Sequence, residues 1–226
     1  MSKIKLSSEM DVTKNGGNLV KLVLLGAAGS GKGTLAKKIV ADFGIPQLST
    51  GDLLREVAKS GTALGDEVKA YQQSGALVPD KVTFEVLKDR LNKSDCQKGY
   101  ILDGYPRTLN QAKMLAELTD IDAVISIELD FDEIVKRLVS RRNCPNCGEI
   151  DNAEYEGYTG LCRKCQTPLF QRDDDKPEAI KARLEVYKQN ITPLINFYGD
   201  KVFKVSSAGT PEETYRPVKL FLERLK

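Results

Sequence analysis

The run Gly26-Ala27-Ala28-Gly29-Ser30-Gly31-Lys32-Gly33-Thr34 contains the residue types that grip a phosphate. Glycines let backbone N–H groups turn inward on an anion, Lys32 would reach the outer phosphates, and Thr34 could offer its hydroxyl to a magnesium shell. The hydroxyl comes one residue late: Gly33 separates Lys32 from Thr34, where the usual phosphate loop has Ser or Thr directly after the lysine. A second set is Cys144-x-x-Cys147 with Cys162-x-x-Cys165, fourteen residues apart. Such paired knuckles place four thiolates tetrahedrally around zinc, closed and therefore structural. Zinc there would contribute on the order of 10 kcal/mol to folding a segment with little apolar core. A third set is the arginines Arg55, Arg107, Arg137, Arg141, Arg142, Arg172 and Arg183, expected at element ends around a crevice. Guanidinium forks clamp phosphate and stabilise a transferring phosphoryl group. Asp103 stands at the end of an apolar run, where an acid can orient magnesium or its waters.

Strands and helices must bring these groups together. Leu19 to Leu25 reads as a buried strand, and Ala36, Ile39, Val40 and Phe43 recur behind the glycine loop at helical spacing. That order puts a helix N-terminus, with its partial positive charge, behind the loop. A short strand follows Gly44-Ile45-Pro46, and Ser49 to Asp52 carries helix-start chemistry. Gly61, Gly65 and Gly75 divide Thr50 to Val78 into short helical pieces, an insertion between strands. From Asp80, the residues Val82, Val86, Leu87 and Leu91 share a helical face. Gly99 to Asp103 is a third strand, Thr108 caps a helix ending near Leu118, and Ala123 to Leu129 is a fourth strand. A helix is expected from Asp132 to Arg142 with Ile134, Val135, Leu138 and Val139 inward. Ala179 to Tyr198 is a long helix, Lys201 to Val205 a fifth strand, and Pro211 to Leu225 the last helix. Alternation of this kind specifies a parallel sheet with helices on both faces and ligands at the carboxyl ends of the strands. The loops at Gly26, Asp103 and after Val205 all fall there.

Composition narrows the class. With 41% hydrophobic and 29% charged residues, the 226-residue chain reads as an ordinary soluble globular protein. A net charge of +2 argues neither for nor against a nucleic-acid partner, and Glu149, Asp151, Glu154 and Glu156 between the cysteine pairs would repel phosphates. Residues 1–18 read as a polar tail without the apolar core of a signal peptide, and no run reaches membrane-spanning length. A cytoplasmic location is the expectation, in which five cysteines do not form a disulfide framework. Cys96, alone, reads as a small buried hydrophobe. There is no histidine, so any chemistry must proceed without the commonest general base.

Together these motifs resemble adenylate kinase, a nucleoside monophosphate kinase family, from about residue 21 to 226. The carrying stretches are Gly26 to Thr34, Ser49-Thr50-Gly51-Asp52-Leu53-Leu54-Arg55, Gly75-Ala76-Leu77-Val78, Leu102-Asp103-Gly104-Tyr105-Pro106-Arg107-Thr108 with Gln111, Arg137, Arg141-Arg142, Gln171 to Asp175 and Arg183 to Tyr187. D-G-Y-P-R-T is close to a family signature, and G-K-G-T is the family's usual loop form. The cysteine pairs match the lid of its long, zinc-bearing members. The resemblance implies a three-layer α/β fold of the phosphate-loop kinase type with a five-stranded parallel sheet. It places a core over 19–226, an AMP-binding insertion at 49–78 and a zinc-bearing lid at 141–174. The implied activity is Mg2+-dependent transfer of a phosphoryl group from ATP to AMP, giving two ADP, by a monomer.

By that resemblance Gly29, Ser30, Gly31, Lys32, Gly33 and Thr34 hold ATP phosphates, with Arg137, Arg141, Ile150, Asp151, Gly209 and Pro211 also on the ATP side. Thr50, Arg55, Ala76, Leu77, Val78, Gly104, Tyr105, Pro106, Arg107 and Gln111 hold AMP, Gln111 at the adenine edge. Arg172 and Arg183 approach the AMP phosphate and the transferred group. Lys32, Asp103, Arg107, Arg141, Arg172 and Arg183 form the catalytic set. Departures are Ala28 in place of proline, Ile150-Asp151 where an apolar residue followed by tyrosine or histidine is usual, Ser206 to Pro211 in place of Asp-Gly-Thr-Lys, and a shorter lid. Alternatives are a kinase preferring UMP or CMP or a GTP donor, and a phosphate-loop binding protein without catalysis. Intact Lys32, Asp103, Arg107, Arg172 and Arg183 weigh against the latter.

Overall fold

The computed structural model describes residues 20–225, so the tail expected at 1–18 lies outside the described residues. Strand β1 (Val20–Leu25) leads through the glycine loop into helix α1 (Lys32–Phe43), and β2 (Gln47–Ser49) into α2 (Thr50–Ala58). Then follow α3 (Ala63–Ser74), α4 (Asp80–Leu91), β3 (Gly99–Asp103), α5 (Leu109–Leu118), β4 (Ala123–Glu128) and α6 (Phe131–Ser140). A hairpin of β5 (Arg141–Asn143) and β6 (Ile150–Asn152) precedes α7 (Pro177–Tyr198), β7 (Val202–Ser206) and α8 (Pro211–Glu223). The main sheet is parallel throughout, in the order β2-β3-β1-β4-β7. The expected five-stranded, three-layer α/β architecture is therefore present.

Alternation along β1 divides the core. Leu22 and Leu24 face Leu35, Ala36 and Ile39 of α1 and Val218 and Leu222 of α8. Val23 and Leu25 face Leu87 of α4, Ala112 and Leu115 of α5 and Leu194 of α7. Successive side chains of a strand point to opposite faces, so a continuous apolar run is what a sheet covered on both sides requires. Because crossovers run over the faces, the loops that follow β1, β2 and β3 emerge together at one edge. Among the described residues no helix is long and apolar enough to cross a membrane.

Four local expectations change. Gly65 does not break a helix: it lies inside α3, where an added Cβ would sit 2.7 Å from the carbonyl oxygen of Val57. Its role is close approach of α3 to α2. The apolar residues of α4 serve two clusters, with Val82 and Val86 against Leu54, Val68 and Val78, and Leu87 and Leu91 in the sheet core. One helix thus couples the α2–α3 pair to the core. Of the four apolar residues expected inward on α6, Ile134 and Leu138 are buried, while Val135 and Val139 stay 39% and 42% exposed. The glycine loop and α7 together cover one stripe of that helix.

The same helix stops at Ser140, so Arg141 and Arg142 are strand residues. The backbone of Asn143 bonds both ways with that of Phe170, and β5 pairs with β6. Those partners lie seven or more residues downstream, beyond the reach of helical periodicity.

Candidate active site

The loops after β1, β2 and β3 at the carboxyl edge of the sheet face a cavity of about 600 Å3. The glycine loop forms its floor. Gly29 has φ +82°, and a Cβ there would meet Leu138 Cγ at 2.9 Å, so both conformation and space demand glycine. Behind it, α1 begins at Lys32 with Gly31 as its N-cap and no side-chain cap, so its first N–H groups are open to an anion. Lys32 is folded back on its own loop, donating to the carbonyls of Gly26 and Ala27 at 2.8 Å each. Burial draws its ammonium down to about 8; Asp103 opposes the shift, and Arg107, Arg183 and Arg141 add to it.

Asp103 ends β3 beside this loop. Its Oδ2 accepts from Gln47 Nε2 at 2.8 Å, and among the described residues no cation lies within ion-pair distance of it. Its main-chain oxygen accepts from Thr50 Oγ1 at 3.2 Å, tying β3 to the first residue of α2. A half-buried carboxylate with only an amide partner, next to an anion-binding loop, suits magnesium or its waters. Thr34 lines the same wall.

The arginines close the other sides. Arg107 Nε donates to the carbonyl of Gly104 at 2.8 Å, and burial lowers its guanidinium to about 10, with Arg183 reinforcing the shift. Burial likewise brings Arg172 to about 10, followed by repulsion from Arg55 and Arg141. Neither Arg107 nor Arg172 has a carboxylate within 4.0 Å among the described residues. Arg141 is gripped bidentately by Asp175, at 2.8 and 2.5 Å, and Arg183 sits 2.9 Å from Asp174 and 3.4 Å from Asp175. Asp175 is 0% exposed and orients both guanidiniums while leaving net positive charge on the cavity. Clustered, partly desolvated like charges favour the arrival of an anion of high charge between them.

Most residues named from the sequence line this cavity: Gly29, Gly31, Lys32, Gly33, Thr34, Thr50, Arg55, Ala76, Leu77, Val78, Asp103, Gly104, Pro106, Arg107, Gln111, Arg137, Arg141, Ile150, Asp151, Arg172 and Arg183. Ser30, Tyr105, Gly209, Pro211 and Arg142 do not. Ser30 is buried beneath the loop. The Tyr105 ring is in the core, and its hydroxyl donates to the carbonyl of Gln111 at 3.2 Å. Gly209 packs on Glu213, whose carboxylate completes a capping box with Thr210 at the start of α8. The loop after β7 reaches the site only as a buttress: Ser207 O accepts from Arg137 at 2.9 Å. Arg142 spends its guanidinium on the carbonyls of Val139 and Arg141.

Other wall residues went unnamed in the sequence. Gln47 holds Asp103, and Lys37 of α1 pairs with Glu149 at 3.2 Å across the cavity mouth. Arg163, between two cysteines, pairs with buried Asp151 at 2.9 Å and stacks on Tyr155. The acidic run after Arg172 was the one legible sign of Asp174 and Asp175; the rest depend on contacts between distant segments.

Beside the hairpin, Cys144, Cys147, Cys162 and Cys165 place their sulfurs within 4.8 Å of one another. The Cys144–Cys165 and Cys147–Cys162 pairs are 3.4 and 3.5 Å apart, near the edge of about 3.8 Å that a tetrahedron with Zn–S of about 2.3 Å demands. Thr167, through its hydroxyl and then its backbone N–H, pulls the Cys165 thiol down to about 5, toward the thiolate that a metal requires. Zinc fits these four residues.

A family model described as adenylate kinase matches residues 24–203. The chain belongs to the adenylate kinase family. It is 47% identical to an adenylate kinase of Thermodesulfovibrio yellowstonii over 91% of this chain and all of that protein. It is 44% identical to one of Archaeoglobus fulgidus over 92% of this chain and all of that protein. An adenylate kinase of Syntrophotalea carbinolica is 50% identical over 79% of this chain and 86% of its own length. Membership of the adenylate kinase family makes the chain a phosphotransferase, and the hairpin residues Arg141, Ile150 and Asp151 form part of the cavity wall.

Proposed function

We propose that this adenylate kinase transfers a phosphoryl group reversibly between ATP and AMP, giving two ADP, inside the cavity at the carboxyl edge of the sheet. The observation that carries the reading is the joining of the glycine loop to two half-buried arginines that lack carboxylate partners among the described residues, Arg107 and Arg172. Residues 29–34, with Arg137, Arg141, Ile150 and Asp151, take the ATP side. Thr50, Arg55, the backbone of Ala76 to Val78, Gly104 to Arg107 and Gln111 take AMP. Residues 49–78 are the AMP-binding insertion and 141–174 the lid. Gly209 and Pro211 are left out, because their loop faces α8.

The chemistry needs no histidine. The nucleophile is a phosphate oxygen of AMP, and a phosphate monoester with a second pKa of about 6 is mostly ionised at neutral pH. Two polyanions must instead be aligned and their repulsion offset, by Lys32, Arg107, Arg141, Arg172 and Arg183. Lys32 would leave the carbonyls of Gly26 and Ala27 for the phosphates. Asp103 and Thr34 would hold magnesium, which supplies positive charge on the phosphate oxygens when bound. Cys144, Cys147, Cys162 and Cys165 would hold zinc, which supplies folding energy to the lid. Water would also accept the phosphoryl group, so the hairpin lid must cover the site during transfer.

The proposed working state is a cytoplasmic monomer whose partners are nucleotides, with neither nucleic acid nor membrane. The acidic residues between the cysteine pairs, which would repel phosphates, support the absence of a nucleic-acid partner. A coupled assay across AMP, UMP, CMP and GMP with ATP and magnesium tests the reading. AMP should turn over fastest; faster turnover of UMP or CMP would overturn it.

A further inference from the structure

Gln111, in the first turn of α5, borders the cavity yet is almost wholly buried. A carboxamide has two N–H donors and two acceptor lone pairs, and a half-turn that exchanges its O and N barely alters its shape. A free glutamine therefore suits a partner of either polarity. Here both ends are engaged. Oε1 accepts from the backbone N–H of Arg107 at 2.7 Å, and Nε2 donates to Asp80 Oδ1 at 2.8 Å. Reversal would set oxygen against oxygen at Asp80 and donor against donor at Arg107. One lone pair on Oε1 and one N–H on Nε2 remain, in fixed order.

Asp80 is itself immobilised. Its Oδ2 accepts from Asn110 Nδ2 at 2.8 Å and Thr108 Oγ1 at 3.3 Å, so this first residue of α4 clamps the start of α5 with both oxygens. It does not line the cavity, and any effect on substrate passes through Gln111.

We propose that Asp80 is a positioning residue for base specificity: by holding the Gln111 amide in one orientation, it makes the monophosphate site select a 6-aminopurine over a 6-oxopurine. This rests on the reading that Gln111 meets the base of AMP. A 6-aminopurine offers an N–H at its 6-amino group and a lone pair at ring N1, matching Oε1 and Nε2 as they are held. A 6-oxopurine offers the reverse, an oxygen acceptor at position 6 and an N–H at N1. It would require the flipped amide. A site built to hydrogen-bond one pattern rejects the other strongly, because its buried polar groups are left unpaired.

The test compares kcat/KM for AMP and for inosine monophosphate, which differs from AMP only at this edge, in the parent, D80N, D80A and Q111L. Asparagine can turn either polarity toward Gln111, and alanine removes the Asp80 half of the clamp, leaving the Arg107 N–H on Oε1. Both substitutions should lower the AMP-to-IMP ratio by about three- to tenfold, with KM for ATP within about twofold of the parent as the check that the fold is intact. Q111L should collapse the ratio as well. Loss of kcat shared equally by AMP and IMP in D80N and D80A, with Q111L still collapsing the ratio, would assign Asp80 a merely structural role and overturn the proposal alone. An unchanged ratio in Q111L would overturn the reading of Gln111 and the proposal with it.

Discussion

At the scale of residues, burial makes the charge of Lys32 conditional on pH. Its ammonium titrates near 10.5 in the unfolded chain and is drawn down to about 8 in the folded one. Between those values the unfolded state binds more protons, so this group's contribution to stability rises as pH climbs from 8 to 10.5, and below 8 its burial penalty is full. Nucleotide binding runs the other way. Phosphate favours the charged lysine, so ATP affinity is complete well below pH 8 and declines through it, by up to about fivefold between pH 8 and 9. Calorimetry at pH 8.5 in two buffers of different ionisation enthalpy should show proton uptake on binding, and K32R should flatten the profile. An ATP Kd level from pH 7 to 9.5 in the parent would count against it. Lys32 itself was legible from its place in the loop. Its partners at Gly26 and Ala27, and the burial that moves its titration, come only from the closed turn.

At the scale of elements, the cysteine hairpin has little else to hold it. Between Asn143 and Phe170 the buried apolar side chains are those of Cys144 and Cys162, with Leu161 and Phe170 exposed. Chelation should therefore unfold this region while β1–β4 and β7 survive. The expected result is fast amide exchange in residues 141–172, unchanged protection in the sheet, and loss of kinase activity. Global unfolding on chelation would instead make the zinc a support of the core. Four cysteines at set spacing announce this site without any fold, because the ligands are local pairs. The end of α6 was not legible, since Arg141 leaves the helix to meet Asp175 and β6, both contributed by later segments. Val135 and Val139 misled for a related reason: periodicity shows where an apolar face begins, and only the neighbouring helix decides how wide a stripe it covers.

At the scale of the whole molecule, two nucleotide sides share one cavity but use different walls, so their stabilising effects should separate. ATP or AMP at about one hundred times its Kd should each add about 2.7 kcal/mol, a Tm rise of about 5–10 °C for a chain of this size. K32M should lose most of the ATP shift and keep that of AMP, and R107A should do the reverse. Equal loss of both shifts in either variant would mean the two sides are not distinct.

The sequence by itself determined the alternation of elements, the phosphate loop, the cysteine tetrad and the kinase family, because each is written in residues near one another in the chain. Even the displaced Thr34, an oddity for a bare phosphate loop, was decided there as a family form. Tertiary structure decided what those pieces do to each other. It set which arginines lack partners, that Asp175 aims two of them, that the loop after β7 buttresses rather than lines the cavity, and that Asp80 and Arg107 hold Gln111 from opposite ends. Those are properties of burial and polarity between segments tens of residues apart, and no local pattern carries them.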